Sequence, residues 1–314
     1  MDITKLGEKD RRGWEDFAAN ANNGTIFHTL KFLSYHPADR FRDHHLLIRE
    51  RDNIIALFPA VREDRAVISH KGASYGGFVL AEGLGIHAIH LLVEHVVQHL
   101  KNEGMEKITL TQPPLIYYRA PDQYIDFALM KNGFSYLKRD VTAVIPLDCA
   151  EPLQTFHSDA RRSTKKALRE GVRVRISDDY PRFYEILKKN LGMRHNVTPT
   201  HSLEELLKLK KMFPQEIVLF AAYVKDRMIG GMVVFVTNPR VILAFYISHD
   251  SDYQHYRPVN LLFYETIRWG RTMAFKHLDL GTFTLNMAPN WGLGRFKENF
   301  AARGFLRDTY QLTI

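Results

Sequence analysis

The sequence predicts an α/β (α+β) protein made of one unit repeated in tandem, with mixed, mostly antiparallel sheets flanked by helices. Three observations carry that expectation: a strand, turn, strand, turn, strand pattern that occurs twice, an amphipathic helix after each occurrence, and landmarks that recur at a nearly constant separation. At 314 residues the chain also exceeds the size at which one hydrophobic core usually stops growing, which favours two domains.

The first meander is HLLIRERDNIIALF, His45 to Phe58, followed by the turn REDR and the run AVIS. The second is VLFAAYVKDRMIGGMVVFV, from Val218, followed by the turn TNPR and the run VILAFYIS. Apolar runs of strand length separated by charged or Asn/Pro-containing turns are hairpin chemistry. A helix follows each: Ile89, Leu92, Val93, Val96 and Leu100 share one face in the first, and Val259, Leu262, Phe263 and Ile267 in the second, which Pro258 opens. Next come short strands, KITLT from Lys107 and KHLDL from Lys276. Each copy then has a helix expected to end in Gly-Phe, at Gly133-Phe134 and at Gly304-Phe305, before a closing strand. Asp52 and Asp226, Lys107 and Lys276, and Gly133 and Gly304 all lie about 170 residues apart, the mark of a duplication. The boundary falls between Pro146 and Pro152, giving a first domain of 1–148 and a second of 149–314.

Composition narrows the partners. The formal charge of +8 points to an anionic substrate or partner, with nucleic acid, phosphorylated small molecules and anionic membrane surfaces all open. The single cysteine, Cys149, excludes an intramolecular disulfide and a thiolate metal cluster. The N-terminal MDITKLGEKDRRG is too charged for a signal peptide, and no apolar run is long enough to span a bilayer, so a cytoplasmic protein is expected. His87, His90, His95 and His99 lie opposite the apolar stripe of their helix without an HExxH pattern, so a solvated face is expected there and no metal site.

An antiparallel meander followed by helix, strand, helix and strand is the order of the GNAT (acyl-CoA N-acyltransferase) fold, so the chain resembles two tandem GNAT-like domains. Four segments bring the resemblance closer: GTIFHTLKFL from Gly24, RRSTKKALREGVRV from Arg161, FYEILKKNLGMRHN from Phe183 and GLGRFKENFAARGF from Gly292. With them the chain resembles the FemABX and FemAB-like family of tandem GNAT aminoacyltransferases, which use aminoacyl-tRNA to build peptidoglycan cross-bridges. The resemblance implies a degenerate, acceptor-side first domain and a second domain that carries donor binding and acyl transfer.

On that resemblance Lys297, in the RFK sequence Arg295-Phe296-Lys297, corresponds to a lysine of the acyl-transfer site. A fixed cation there can stabilise the oxyanion of a tetrahedral intermediate or hold a phosphate or terminal adenosine. The alternative is a solvated cation. The first copy has no RFK equivalent near Asp126, 171 residues earlier, so the feature belongs to one half only. Tyr246 and Asp279, near the ends of strands bordering the same loop, are candidates to take a proton from the amine nucleophile; a strand aromatic and a structural carboxylate are the alternatives. Arg194 matches an arginine near the family's muramyl-peptide substrate, and also suits the end of a helix dipole. Tyr75, in ASYGGFVLAEG, is expected to line the acceptor, although Val79, Leu80 and Ala81 stand where that segment would carry an acid.

Arg161, Arg162, Lys165, Lys166 and Arg169 fall on one arc of a helix, with Phe156, Ala160, Ala167 and Leu168 opposite, a face attractive to tRNA or an anionic bilayer. The turn HDSDYQHYRPVN contains no glycine, so a backbone-amide cradle for the pyrophosphate of acyl-CoA is hard to build, and Arg257 is left to hold an anion by its side chain. The leading expectation is transfer of an aminoacyl group from aminoacyl-tRNA to an amine of a peptidoglycan precursor or similar anionic acceptor, with no tightly bound cofactor. Acyl-CoA as co-substrate, acting on an amino sugar, lipid or small amine, is the alternative, and a non-catalytic RNA- or membrane-binding protein is a third.

Overall fold

A computed structural model of the chain describes residues 1–37, 39–69, 71–148, 151–195 and 198–314, with the side chains of 193–195 left aside. Cys149 and the side chain of Arg194 lie outside that description. The chain forms two compact units, Met1–Val141 together with Phe305–Ile314, and Thr142–Gly304. The two α/β units expected from the sequence are therefore present, with a difference in where the closing strands go. The strand after the first copy, Ser135–Pro146, starts in the first unit and ends in the second, whereas the last strand of the chain returns to the first unit. The division falls at Val141/Thr142, and not at 148/149, because sheet hydrogen bonding assigns a strand to its pairing partner whatever its place in the sequence.

The first unit contains β1 (Asp2–Lys5), α1 (Arg11–Asn20), α2 (Leu30–Leu33), β2 (Leu46–Glu50), β3 (Asn53–Phe58), β4 (Val61–Glu63), β5 (Ala66–Ser69), β6 (Val79–Leu80), α3 (Ile86–Asn102), β7 (Lys107–Thr111), α4 (Tyr124–Lys131) and the start of β8 (Ser135–Pro146). One sheet runs β1-β2-β3-β6; in the other, β4, β5 and β7 are continued by the last strand of the chain, whose Thr309–Thr313 pairs antiparallel with Thr111–Lys107. β5 and β7 are parallel, so the chain must cross between them, and α3 makes the crossing. Its five expected core residues are all buried, packed with Ile125, Ala128 and Leu129 of α4. The GTIFHTLKFL segment is internal scaffolding. Trp14 Nε1 donates to the His28 carbonyl at 2.8 Å, Asn23 bridges Phe78 and Leu80, and complete burial pushes the His28 imidazole down to about 4, which keeps it neutral.

The second unit continues with α5 (Pro152–Thr155), α6 (Ser158–Arg169), β9 (Arg173–Ser177), α7 (Tyr180–His195), α8 (Leu203–Met212), β10 (Ile217–Val224), β11 (Arg227–Val236), β12 (Val241–His249), α9 (Pro258–Thr272), β13 (His277–Thr282), β14 (Thr284–Leu285), β15 (Ala288–Pro289), α10 (Trp291–Glu298) and β16 (Arg303–Thr313), the returning strand. Its sheet runs β9-β10-β11-β12-β13, closed by the end of β8. β9 to β12 are antiparallel, β12 and β13 are parallel, and α9 crosses between them. Leu261, Leu262, Phe263 and Ile267 of α9 fill the core with Phe156, Ala160 and Ala167 at and before α6 and Phe300 after α10.

Three details differ from the sequence reading. The last helix ends at Glu298 and the left-handed residue after it is Ala301, φ 66°, while Gly304 lies inside β16; only Gly133, φ 87°, follows its helix as expected. Leu168 is exposed and Thr164 takes the inward position, its hydroxyl satisfied by the Ala160 carbonyl at 2.8 Å. The basic face of α6 also contains Asp159, which pairs with Arg162 one turn on, and Arg161 bonds the Phe156 carbonyl.

Candidate active site

The second unit gains its opening from an incomplete pairing. β12 and β13 are registered over three pairs, Val241↔His277, Ile242↔Leu278 and Leu243↔Asp279, after which both strands continue without further pairs to each other. Two irregularities accompany the parting. On β12 the register with β11 shifts between Val233↔Tyr246 and Val234↔Ala244, leaving Phe245 as an extra residue whose ring stacks on Phe235 at 4.6 Å. On β13 the register with β8 shifts between Asp279 and Thr282, and Gly281 within that bulge has φ 72°, a backbone most side chains avoid.

Asp279 and Lys297 meet at this second bulge. Asp279 is fully buried; its Oδ1 accepts from the Gly281 amide at 2.8 Å and from the Thr142 hydroxyl. Lys297, 6% exposed, donates from Nζ to the Gly281 carbonyl at 2.7 Å and to the Thr282 carbonyl at 3.1 Å. An ammonium has three donors, so one N–H remains beyond these two bonds. Burial pulls the Lys297 ammonium down to about 8, with the Asp279 carboxylate opposing the shift. Lys297 is thus an interior group, not a solvated surface cation, and it titrates near physiological pH.

Beside the end of β12 lies a cavity of about 510 Å³. Asn190 and Leu191 of α7, Ile247, Ser248 and His249 of β12, Gln254 and Arg257 of the turn, the first residues of α9, and Leu293 and Phe296 of α10 line it. Asn190 Nδ2 donates to Ser248 Oγ at 2.9 Å, fixing two polar groups at the wall. The turn is pinned at Asp250, which caps it through the Asp252 amide and forms ion pairs with Lys189 at 3.3 Å and Arg227 at 3.8 Å. Arg257 holds the left-handed conformation, φ 59°, that a glycine would adopt more cheaply. Pro258 supplies no amide and the Asn260 amide is engaged by the Arg257 carbonyl at 3.2 Å, so the start of α9 offers few N–H groups to an anion.

The structure brings Arg257 and Phe296 to this cavity and places Lys297 and Asp279 together at the neighbouring bulge. Arg295, exposed on α10, does not line it. Tyr246 lies elsewhere: its hydroxyl accepts from the His201 amide at 2.9 Å and contacts His201 Nδ1 at 2.8 Å, and burial pushes its phenol up to about 12. Tyr75 belongs to the first unit, 2% exposed, with its hydroxyl 3.3 Å from that of Tyr117 and the Arg307 guanidinium over its ring. α6 packs on α9, where Thr164 Oγ1 reaches the Asn260 carbonyl at 3.5 Å, so the basic helix adjoins the helix that opens the cavity. Thr142, Asn190, Ser248 and His249 were not singled out from the sequence. Asn190 lies in the FYEILKKNLGMRHN segment and the polar run Ser248-His249-Asp250 marks a strand end, whereas Thr142 had no such signal.

Among the described residues no helix is long and apolar enough to cross a membrane, and no cluster of three or more His, Cys, Asp or Glu is placed to hold a metal.

Residues 154–298 match the family described as "Acetyltransferase (GNAT) domain". No curated protein matches the sequence. Among solved structures, FemX is similar over 100% of this chain and 98% of its own at 11% identity, with a TM-score of 0.76. The C-terminal domain of a putative lysylphosphatidylglycerol synthetase from Agrobacterium fabrum is similar over 96% of this chain and 91% of its own, at 12% identity and a TM-score of 0.62. A tandem GNAT protein from the clavulanic acid biosynthesis pathway is similar over 99% and 98%, at 11% identity and a TM-score of 0.60. The chain therefore has a tandem GNAT fold whose architecture is similar to that of FemX over its whole length, with residues 154–298 matching the GNAT acetyltransferase domain.

Proposed function

We propose that the protein is an N-acyltransferase whose second unit binds an activated acyl donor in the cavity beside β12. The observation that carries this reading is the parting of β12 from β13 next to a cavity whose mouth carries Arg257, with a buried lysine at the adjoining bulge. The amine nitrogen of the acceptor attacks the donor carbonyl and forms the new C–N bond. The carbonyl-to-oxygen bond of an aminoacyl ester, or carbonyl-to-sulfur bond of a thioester, then breaks, and the amine proton is passed to the departing oxygen or sulfur. The remaining Lys297 N–H is the donor available to the developing oxyanion, while its bonds to Gly281 and Thr282 hold the bulge. Asp279 acts by position, keeping the Gly281 amide turned and the lysine charged.

The donor favoured by the site is aminoacyl-tRNA. The shortage of amides at the start of α9 leaves a phosphate to side chains, and the basic helix α6 beside it suits a polyanion. The acceptor is then the amine of a peptidoglycan precursor or a comparable anionic molecule. The second reading, an acyl-CoA donor, is favoured by the GNAT match across this unit. Thermal unfolding with increasing acetyl-CoA separates the two: a site-specific ligand at one hundred times its dissociation constant stabilises the fold by about 2.7 kcal/mol. Saturable stabilisation that Arg257→Ala removes selects acyl-CoA. No shift at millimolar acetyl-CoA, together with amide formation from charged tRNA and a muramyl peptide, selects aminoacyl-tRNA. Failure of both donors with amine acceptors overturns the transferase reading.

A further inference from the structure

The segment between the two proposed site elements has a surface of its own. β14 and β15 form a two-residue hairpin, Thr284↔Pro289 and Leu285↔Ala288, with Asn286 and Met287 at the turn. Both turn residues have positive φ, 49° and 67°, the conformation of a hairpin turn that normally ends in glycine. A methionine there carries a strained backbone and projects a flexible apolar side chain from the tip. Leu285 is 72% exposed, Met287 59% and Trp291, opening α10, 77%. These three side chains lie within seven residues of chain, and no Asp or Glu occurs from Phe283 to Lys297, whereas the exposed Arg295 follows Trp291 by one helical turn. The N-cap of α6, His157, donates its amide to the Asn299 carbonyl just after α10, and α6 carries exposed Arg162, Lys165 and Arg169.

We propose that the 284–291 hairpin and the start of α10 dock the protein on an anionic lipid bilayer, with Leu285, Met287 and Trp291 entering the interface and Arg295 meeting lipid phosphate. A convex two-residue tip, an interfacial tryptophan and neighbouring cations are the features of interfacial anchoring. The tip exposes on the order of a few hundred Å² of apolar surface, less than the roughly 800 Å² per partner that a specific protein interface requires. The bilayer asks for no such area, since it accepts side chains singly. This inference stands apart from the donor and acceptor readings, because its test does not measure transfer.

Trp291 is its own probe: of the three tryptophans, Trp14 is fully buried and Trp269 packs against the second unit's core. The purified full chain is titrated with phosphatidylglycerol vesicles and, separately, with phosphatidylcholine vesicles, while tryptophan emission and co-sedimentation are followed. The expected result is a blue shift with the anionic vesicles, quenched by acyl-chain-brominated lipid and absent from Trp291→Phe, which still binds. Leu285→Ser with Met287→Ser should weaken vesicle binding by about tenfold or more at unchanged Tm, as burial of each side chain is worth at least that factor. No shift and no co-sedimentation overturns the proposal. So does binding that high salt abolishes but the double variant leaves intact, which assigns attraction to α6 alone. A blue shift produced by concentrating the protein without lipid also overturns it and makes the tip a contact between protein chains.

Discussion

The two units use their last helices differently. α4 and α10 are each followed by a left-handed residue, Gly133 and Ala301, 168 positions apart. In that register Lys297 corresponds to Leu129, not to Asp126 as the overall repeat spacing implied. Leu129 is completely buried with Ile125 and Ala128 in the first unit's core. Asp126 instead accepts from the Tyr310 hydroxyl at 2.6 Å, and burial raises its carboxyl above the usual range. One unit thus fills the position with a side chain that needs only van der Waals neighbours. The other places an ammonium there, which must find acceptors and finds the carbonyls of the β13 bulge. A buried cation is unfavourable by desolvation and is kept where its partners compensate, so the asymmetry supports the proposal that the second unit carries the chemistry.

The largest effect expected from this comparison is on transfer. Lys297→Leu, which writes the first unit's residue into the second, should lower kcat by about 10²- to 10³-fold with the fold retained, the range for losing one preorganised oxyanion donor. Unchanged kcat would leave the difference between the halves a matter of packing. The converse site responds in stability alone: Leu129→Ala should destabilise the protein by about 2 to 5 kcal/mol in denaturant titrations, through the cavity it leaves, without changing kcat of the remaining folded protein. Arg257→Ala should raise the KM for the donor about tenfold with kcat nearly constant, since a charged contact at the mouth of the cavity acts on binding.

The smallest effect is in pH dependence. The Lys297 ammonium is pulled from 10.5 to about 8 by burial, so between those values the unfolded chain binds more protons than the folded one. The group's contribution to stability therefore rises with pH from about 8 to 10.5 and is at its least favourable below 8. Lys297→Met should flatten that part of the stability profile. If the ammonium is the active form, kcat should also fall as pH rises through about 8, a limb absent from the residual activity of the variant.

Much of the architecture was legible in one dimension. The second meander, the β2–β3 hairpin of the first, the five-residue apolar stripe of α3 and the proline opening α9 all follow from local patterning, because side-chain periodicity and turn chemistry act within a few residues. The run Ala66–Ser69, in contrast, leaves the first hairpin to pair with β4 and β7 in the other sheet. The RFK helix could be singled out too, since one copy carried a cation that the other lacked. The duplication itself came from comparing distant parts of the sequence with each other.

What the sequence determined by itself was the set of elements and the residues worth watching. Their arrangement belonged to the tertiary structure. Which unit each closing strand joins is decided by backbone hydrogen bonding between segments such as Lys107–Thr111 and Arg303–Thr313, about which neither segment's composition says anything. The parting of β12 from β13 is accompanied by bulges against the neighbouring strands β11 and β8, a pairing that the local sequence around Thr142 and Ser248 does not state. The surroundings of the candidates were fixed in the same way: Tyr246 found its partner in His201, while Lys297 and Asp279 met at Gly281. A side chain's chemistry is written in its residue type, but its pKa and its reach depend on groups that only folding brings within a few ångströms.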